Sequence, residues 1–424
     1  MTIQQLHQCF LECSQACTDS RAIPDKGMFF SLKGENFNGN RFAAEALKKG
    51  ALYALVDEAE YATSEHILLV DDVLQSLQEL ARFHRNYCKA KVIALTGSNG
   101  KTTTKELMHA ILDRQYRAIA TRGNLNNHIG VPLTLLSIRE ESEVAIVEMG
   151  ANHKKEIALL CGIAEPDYGL ITNFGKAHLE GFGGVQGVIE GKSELYDYLK
   201  MHGKHIFFNA DDPIQVERIG TYPKTSGFSR EDDRFLKIAF LQANPFVKLR
   251  YESLTIVTLL IGSYNFNNCA VAALVGHHFK VAPAQIKEAL ETYLPSNNRS
   301  QYLRKGTYEI LLDAYNANPS SMKAALENYR QMEAAPKTVF LGDMFELGES
   351  SGEEHQQIAE LAESMGFDAV YLVGENFSRV RSVLPAFKDF KEFEAFIKNN
   401  KPVAGHILIK GSRGMALERI LNSL

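Results

Sequence analysis

The sequence predicts an α/β protein of three domains, the central one a parallel sheet carrying a phosphate-binding loop. Three observations lead to this reading. The chain has 424 residues, more than one hydrophobic core ordinarily organises. Short apolar runs alternate with helical patterns, as in parallel strands covered by helices. The alternation breaks at Pro295-Ser296-Asn297-Asn298, a cluster of turn formers, and then resumes.

The first domain, residues 1–88, reads as small and α/β, with apolar runs at 28–30 and 52–56 and a helical pattern at 74–83. The second, 89–296, opens with a buried-strand run at 92–96, a glycine-bearing turn, and a helix over 102–112. Further strand runs fall at 144–147, 169–172 and 205–208. The third domain, 297–424, repeats the scheme with strands at 308–312, 338–341, 369–373 and 406–409. Gly181-Phe182-Gly183-Gly184 does not follow a dinucleotide fingerprint and reads as a flexible loop.

Composition excludes several classes. The 46 Lys and Arg against 51 Asp and Glu give a net charge of -5, the opposite of a nucleic-acid binder's electrostatic footprint. No apolar run approaches the ~20 residues that span a bilayer, and no Lys or Arg precedes Arg21, so membrane insertion and secretion are not expected and the cytoplasm is. Six cysteines without a C-x-x-C pair read as reduced thiols, with Cys9, Cys13 and Cys17 on one face of a short buried helix.

Thr96-Gly97-Ser98-Asn99-Gly100-Lys101-Thr102-Thr103-Thr104 joins a predicted strand to a predicted helix. There, backbone N–H groups and the helix dipole can hold phosphate oxygens. Lys101 is placed to neutralise the β- and γ-phosphates, and the Thr102 hydroxyl to bind Mg²⁺. The loop is a shortened variant, since Leu95 stands where the common spacing has glycine. A carboxylate at the end of the 144–147 strand, Glu148, suits the same hard cation.

The segment from Thr96 to Thr103 resembles the Thr-Gly-x-x-Gly-Lys-Thr-Thr signature of Mur ligases and folylpolyglutamate synthetases. Glu148-Met149-Gly150-Ala151-Asn152 and Asn173-Phe174-Gly175-Lys176-Ala177-His178 then follow in the family's order. The resemblance implies an ATPase-like central domain, a Rossmann-like third domain and an ATP-dependent ligase. It makes Glu148 and His178 holders of Mg²⁺ and Lys192 a lysine carbamylated near the metal. Gly97, Ser98, Asn99, Gly100, Lys101, Thr102 and Thr103 would bind ATP phosphates. Asn265 and Asn268 would contact adenine, in a segment where Tyr264 replaces the usual His. Arg299 would meet phosphate, and Asp313 the ribose.

Within the family, 313–322, 342–348 and 410–415 resemble the branch that adds D-alanyl-D-alanine to a UDP-N-acetylmuramoyl-tripeptide, and 123–132 resembles its muramoyl-peptide loop. Asn126 and Asn127 would then meet the peptide, Asn316 the incoming dipeptide, and Ser20, Arg21 and Lys33 the uridine nucleotide. Asn38-Gly39-Asn40 departs from the branch's usual Asp-Gly-His. A monomer that closes about residues 295–299 is expected. Another amino acid ligase of Mur or folylpolyglutamate type is the nearest alternative, and a phosphate loop alone would also suit a small-molecule kinase or a nucleotide-binding regulator.

Overall fold

The computed structural model describes residues 1–295, 298–333 and 335–424. The expected boundary at Ser296 and Asn297 lies outside the described residues. Three main sheets follow one another along the chain.

The amino-terminal sheet has four parallel strands, ordered Ala16–Cys17, Met28–Phe30, Tyr53–Val56 and Ile67–Leu69. Asp72 caps the helix Val73–Cys88 by accepting from the Gln75 N–H at 2.7 Å. That helix buries Leu77, Leu80 and Ala81 in a core shared with Val131, Leu135 and Val147 of the central domain. Each such Leu or Val side chain contributes about 1.5–3 kcal/mol by leaving water.

The central sheet runs Leu254–Ile261, Phe246–Tyr251, Leu236–Ala243, Thr225–Ser229, His205–Asn209, Tyr168–Ile171, Lys91–Thr96, Val144–Glu148, Ala118–Ala120. Lys91–Thr96 is buried from Val92 onward and pairs in parallel with a neighbour on each side. The connection from Lys91–Thr96 leads to one side of the sheet and that from the adjacent Tyr168–Ile171 to the other, so their carboxyl ends border the crevice where open α/β sheets bind ligands. Helices Lys101–Leu112 and Tyr264–His278 cover one face. Gly130–Leu136, Glu156–Ala164 and Val185–Met201 cover the other.

The carboxyl-terminal sheet is ordered Gln301–Lys305, Tyr308–Asp313, His406–Lys410, Lys337–Gly342, Ala369–Val373, Ala386–Phe387, with only its first pair antiparallel. Its core strands coincide with the four sequence runs. Among the described residues no helix is long and apolar enough to cross a membrane.

Three local expectations change. The central sheet is not parallel throughout, because Leu236–Ala243, Phe246–Tyr251 and Leu254–Ile261 form an antiparallel extension. Cys13 and Cys17 are not on a helix with Cys9: Ile3–Leu11 ends at Glu12, and Cys17 is in a strand, though all six thiols are free. The expected loop at 181–184 begins as the short helix Leu179–Phe182, and only Gly183 and Gly184, at φ +70° and +102°, make the turn.

Candidate active site

A cleft of about 870 Å³ opens between the central and carboxyl-terminal sheets, with the phosphate loop on its floor. Two glycines let that loop lie close to its neighbours. A Cβ on Gly97 would sit 1.9 Å from Thr172 Oγ1, and one on Gly100, at φ +79°, 2.4 Å from Asn268 Oδ1. The first backbone bond of the following helix runs from the Thr104 N–H to the Gly100 carbonyl at 2.8 Å. The preceding helical amides therefore point at the cleft as anion donors.

Lys101 folds over this loop and donates to the Gly97 carbonyl at 2.6 Å. Burial pulls its pKa below the ordinary lysine value, and the neighbouring charges acting on it are Glu148, Arg299 and Glu346. Thr102 Oγ1 donates to Glu148 Oε2 at 3.0 Å, while Asn126 Nδ2 donates to Oε1 at 2.9 Å. Glu148 is 2% exposed. A buried carboxylate held only by neutral donors still calls for a cation, and the oxygen-rich set of Glu148 and Thr102 suits Mg²⁺.

His178 sits at φ +54° and turns Nδ1 to the Glu346 carboxylate of the third domain. The close approach of the imidazole holds Glu346 below the usual carboxylate range. Lys192, by contrast, is fully buried, its Nζ has no hydrogen-bond partner among the described residues, and it lies 5.0 Å from the centre of the Phe182 ring. Burial first, then the positive charge of Lys101, lowers its pKa to about 7.

Asn265 and Asn268 are joined by a 2.8 Å bond and line the cleft beside Tyr264, whose hydroxyl meets Ser300 Oγ at 2.8 Å. Arg299 stacks 3.7 Å from the Tyr315 ring centre. Asp313 accepts from the Ser300 N–H at 3.1 Å and pairs with Lys410. Asn126, Asn127 and Asn316 also reach the cleft. Ser20, Arg21 and Lys33 do not line it. Arg21 is exposed and bound to Asp19, holding that carboxyl down to about 2, and Lys33 pairs with Asp57 at 3.0 Å. Asn40, in the departing segment, is buried and bonded to Asp57 at 2.8 Å.

The sequence reading missed a junction between domains. Asn99 Oδ1 accepts from Asn318 Nδ2 at 2.8 Å, and Asn99 Nδ2 donates to Ser320 Oγ at 3.1 Å. Asn318 is meanwhile the cap of the helix Pro319–Gln331. One side chain of the phosphate loop thus holds the start of a helix in the next domain. Ser320→Ala is expected to lower kcat/KM about fivefold, the worth of about one neutral hydrogen bond. In an Asn99→Ala background the same change should cost less, since only the bond from Ser320 Oγ to Asn318 Oδ1 at 2.9 Å is then lost, and a double-mutant cycle measures the difference.

Comparison with known proteins supplies further findings. Residues 95–276 match the Mur ligase middle domain, and 298–413 the Mur ligase, glutamate ligase domain. The UDP-N-acetylmuramoyl-tripeptide--D-alanyl-D-alanine ligase of Bacillus subtilis is 34% identical, with 96% of this chain and 92% of that protein covered. The crystal structure of MurF from Acinetobacter baumannii superposes with a TM-score of 0.85 at 30% identity, covering 100% of this chain and 98% of that one. MurF ligase from Thermotoga maritima in complex with ADP gives a TM-score of 0.84 at 26% identity, covering 98% and 97%.

Proposed function

The chain belongs to the Mur ligase family, and from that premise we propose that it joins D-alanyl-D-alanine to the free carboxylate of a UDP-N-acetylmuramoyl-tripeptide, using ATP, in the making of peptidoglycan precursors. The observation that carries this reading is the cleft itself: a phosphate loop, a buried carboxylate beside it, and the polar wall of a second domain meet in one space.

Residues 89–296 hold ATP, 297–424 the dipeptide and 1–88 the uridine end, through Ser20, Arg21 and Lys33. The separation of those three residues from the cleft suits a substrate whose nucleotide lies far from its reacting carboxylate. Asn126 and Asn127 meet the peptide, Asn316 the dipeptide, Asn265 and Asn268 the adenine, and Asp313 the ribose. Lys101, Arg299 and the amides of the phosphate loop grip the phosphates.

Thr102, Glu148 and His178 would hold Mg²⁺, which when bound neutralises charge between the phosphates and the substrate carboxylate. The tripeptide carboxylate attacks the γ-phosphorus, the bond to the bridging oxygen breaks, and ADP leaves. The dipeptide's neutral amine then attacks the acyl carbon, and the tetrahedral adduct expels phosphate and loses the amine's proton to solvent. Lys192, with no hydrogen-bond partner among the described residues and close to neutral, is suited to react with CO₂, which would turn its amine into a carbamate anion and release one proton. Closure about residues 295–299 brings the walls together. A monomer suffices because both walls come from one chain, and the cytoplasm supplies ATP and nucleotide-linked precursors.

The expected result in an ADP-release assay is dependence on both UDP-N-acetylmuramoyl-tripeptide and D-alanyl-D-alanine. A stable phosphorylated product made without the amine would instead assign the chain to a kinase.

A further inference from the structure

The incoming dipeptide carries a second charge that the reaction does not use, its own terminal carboxylate. Such a group leaves water only where a cation meets it, and a guanidinium can do so with two parallel hydrogen bonds.

Lysines and arginines lining the cleft are Lys101, Arg299, Lys410 and Arg413. Lys101 belongs to the phosphate loop, and Arg299 is among the charges acting on it. Lys410 is 2% exposed at its side chain and already paired with Asp313. Of the cleft histidines, His178 is turned to Glu346, and His128 stands on the loop assigned to the muramoyl peptide.

Arg413 differs from all of these. It starts the turn Arg413–Met415 beyond the strand His406–Lys410, on the wall that also carries Asn316 and Ala324. Its Nη1 is held by Glu418 at 3.0 Å, whereas Nε and Nη2 have no protein partner among the described residues. Its side chain remains 60% exposed. Glu418 fixes the plane of the guanidinium and leaves its other edge to a ligand. Tyr315 stands between the two arginines' tasks, with Arg299 at 3.7 Å and Arg413 at 5.6 Å from its ring centre. Gly411 lets the turn sit this deep, since a Cβ there would lie 3.0 Å from Gly342 Cα.

We propose that Arg413 binds the terminal carboxylate of D-alanyl-D-alanine and thereby directs the dipeptide's amine toward the activated tripeptide. This rests on the function proposed above. It assigns the preference for a free carboxylate to one residue outside the ATP site, and predicts that the enzyme reads the dipeptide's acid end as well as its amine.

The test compares D-alanyl-D-alanine with its carboxamide as amine substrates of the full-length enzyme. The wild type is expected to prefer the acid by about 30-fold in kcat/KM, the discrimination a charge-assisted hydrogen-bond pair supplies. In Arg413→Gln that ratio should fall toward one through a raised KM for the acid, with the KM for ATP within about twofold of wild type. Arg413→Lys should recover part of the preference, and thermal melting verifies that both variants fold. The assignment is overturned if Arg413→Gln keeps the acid preference, if the wild type uses acid and amide equally, or if the KM for ATP rises as much as that for the dipeptide. A wild-type enzyme that turns over a different amine but not D-alanyl-D-alanine would remove the functional reading itself, a distinguishable failure.

Discussion

Replacing Lys101 with alanine is expected to lower kcat by about 10³-fold or more, equivalent to about 4 kcal/mol of lost transition-state stabilisation. The KM for ATP should change far less, because the backbone amides of the loop keep most of the ground-state grip. The side chain's protein contacts are the carbonyls of its own loop at Gly97 and Ser98, so thermal stability should remain near wild type. Steady-state kinetics and a melting curve on the same preparation check both halves. Turnover within about tenfold of wild type would contradict the role given to Lys101.

Lys192→Met should separate stability from activity. Among the described residues the buried wild-type amine has no hydrogen-bond partner, a costly state that methionine relieves at similar volume. The melting temperature is therefore expected to stay level or rise, while kcat falls about 100-fold or more with the loss of the proposed carbamate and its charge. The pH dependence has a definite sign. The folded pKa is lowered from 10.5 to about 7, so between those values the unfolded chain binds the extra proton and wild-type stability rises with pH. Below about 7 the penalty is present in full. In CO₂-free buffer the difference in melting temperature between Lys192→Met and wild type should shrink across that window. Labelled ¹³CO₂ should give a carbamate signal in wild type and none in the variant.

The parts of the site written in consecutive residues were legible from sequence. Gly97 to Thr103 could be placed because a buried strand, a glycine turn and a helix are local patterns, and Glu148 followed from its position at a strand end. Arg299, Asp313, Asn265 and Asn268 came from resemblance, and the fold brings them to the same cleft. The junction of Asn99 with Asn318 and Ser320, and that of His178 with Glu346, join residues far apart in sequence. No periodicity encodes such pairs. Their only sequence signal is local: the Asn-Pro-Ser-Ser helix cap at 318–321.

Lys192 illustrates the opposite difficulty. Helical spacing alone suggests a solvated lysine, and only tertiary packing under Phe182 makes it a buried amine. The antiparallel extension did carry a signal: Val247, Leu249 and Tyr251 alternate with Lys248 and Arg250, and Glu252-Ser253 forms the turn into the next strand. The strands of the third domain were easier to find because, flanked by helices on both faces, they are nearly continuous apolar runs.

The most direct test follows oxygen. With ¹⁸O in the terminal carboxylate of the UDP-N-acetylmuramoyl-tripeptide, turnover with ATP and D-alanyl-D-alanine should place one ¹⁸O in the released inorganic phosphate, because the carboxylate oxygen that attacks the γ-phosphorus leaves with it. Phosphate released without label during normal amide formation would contradict phosphoryl transfer to the peptide's acid end.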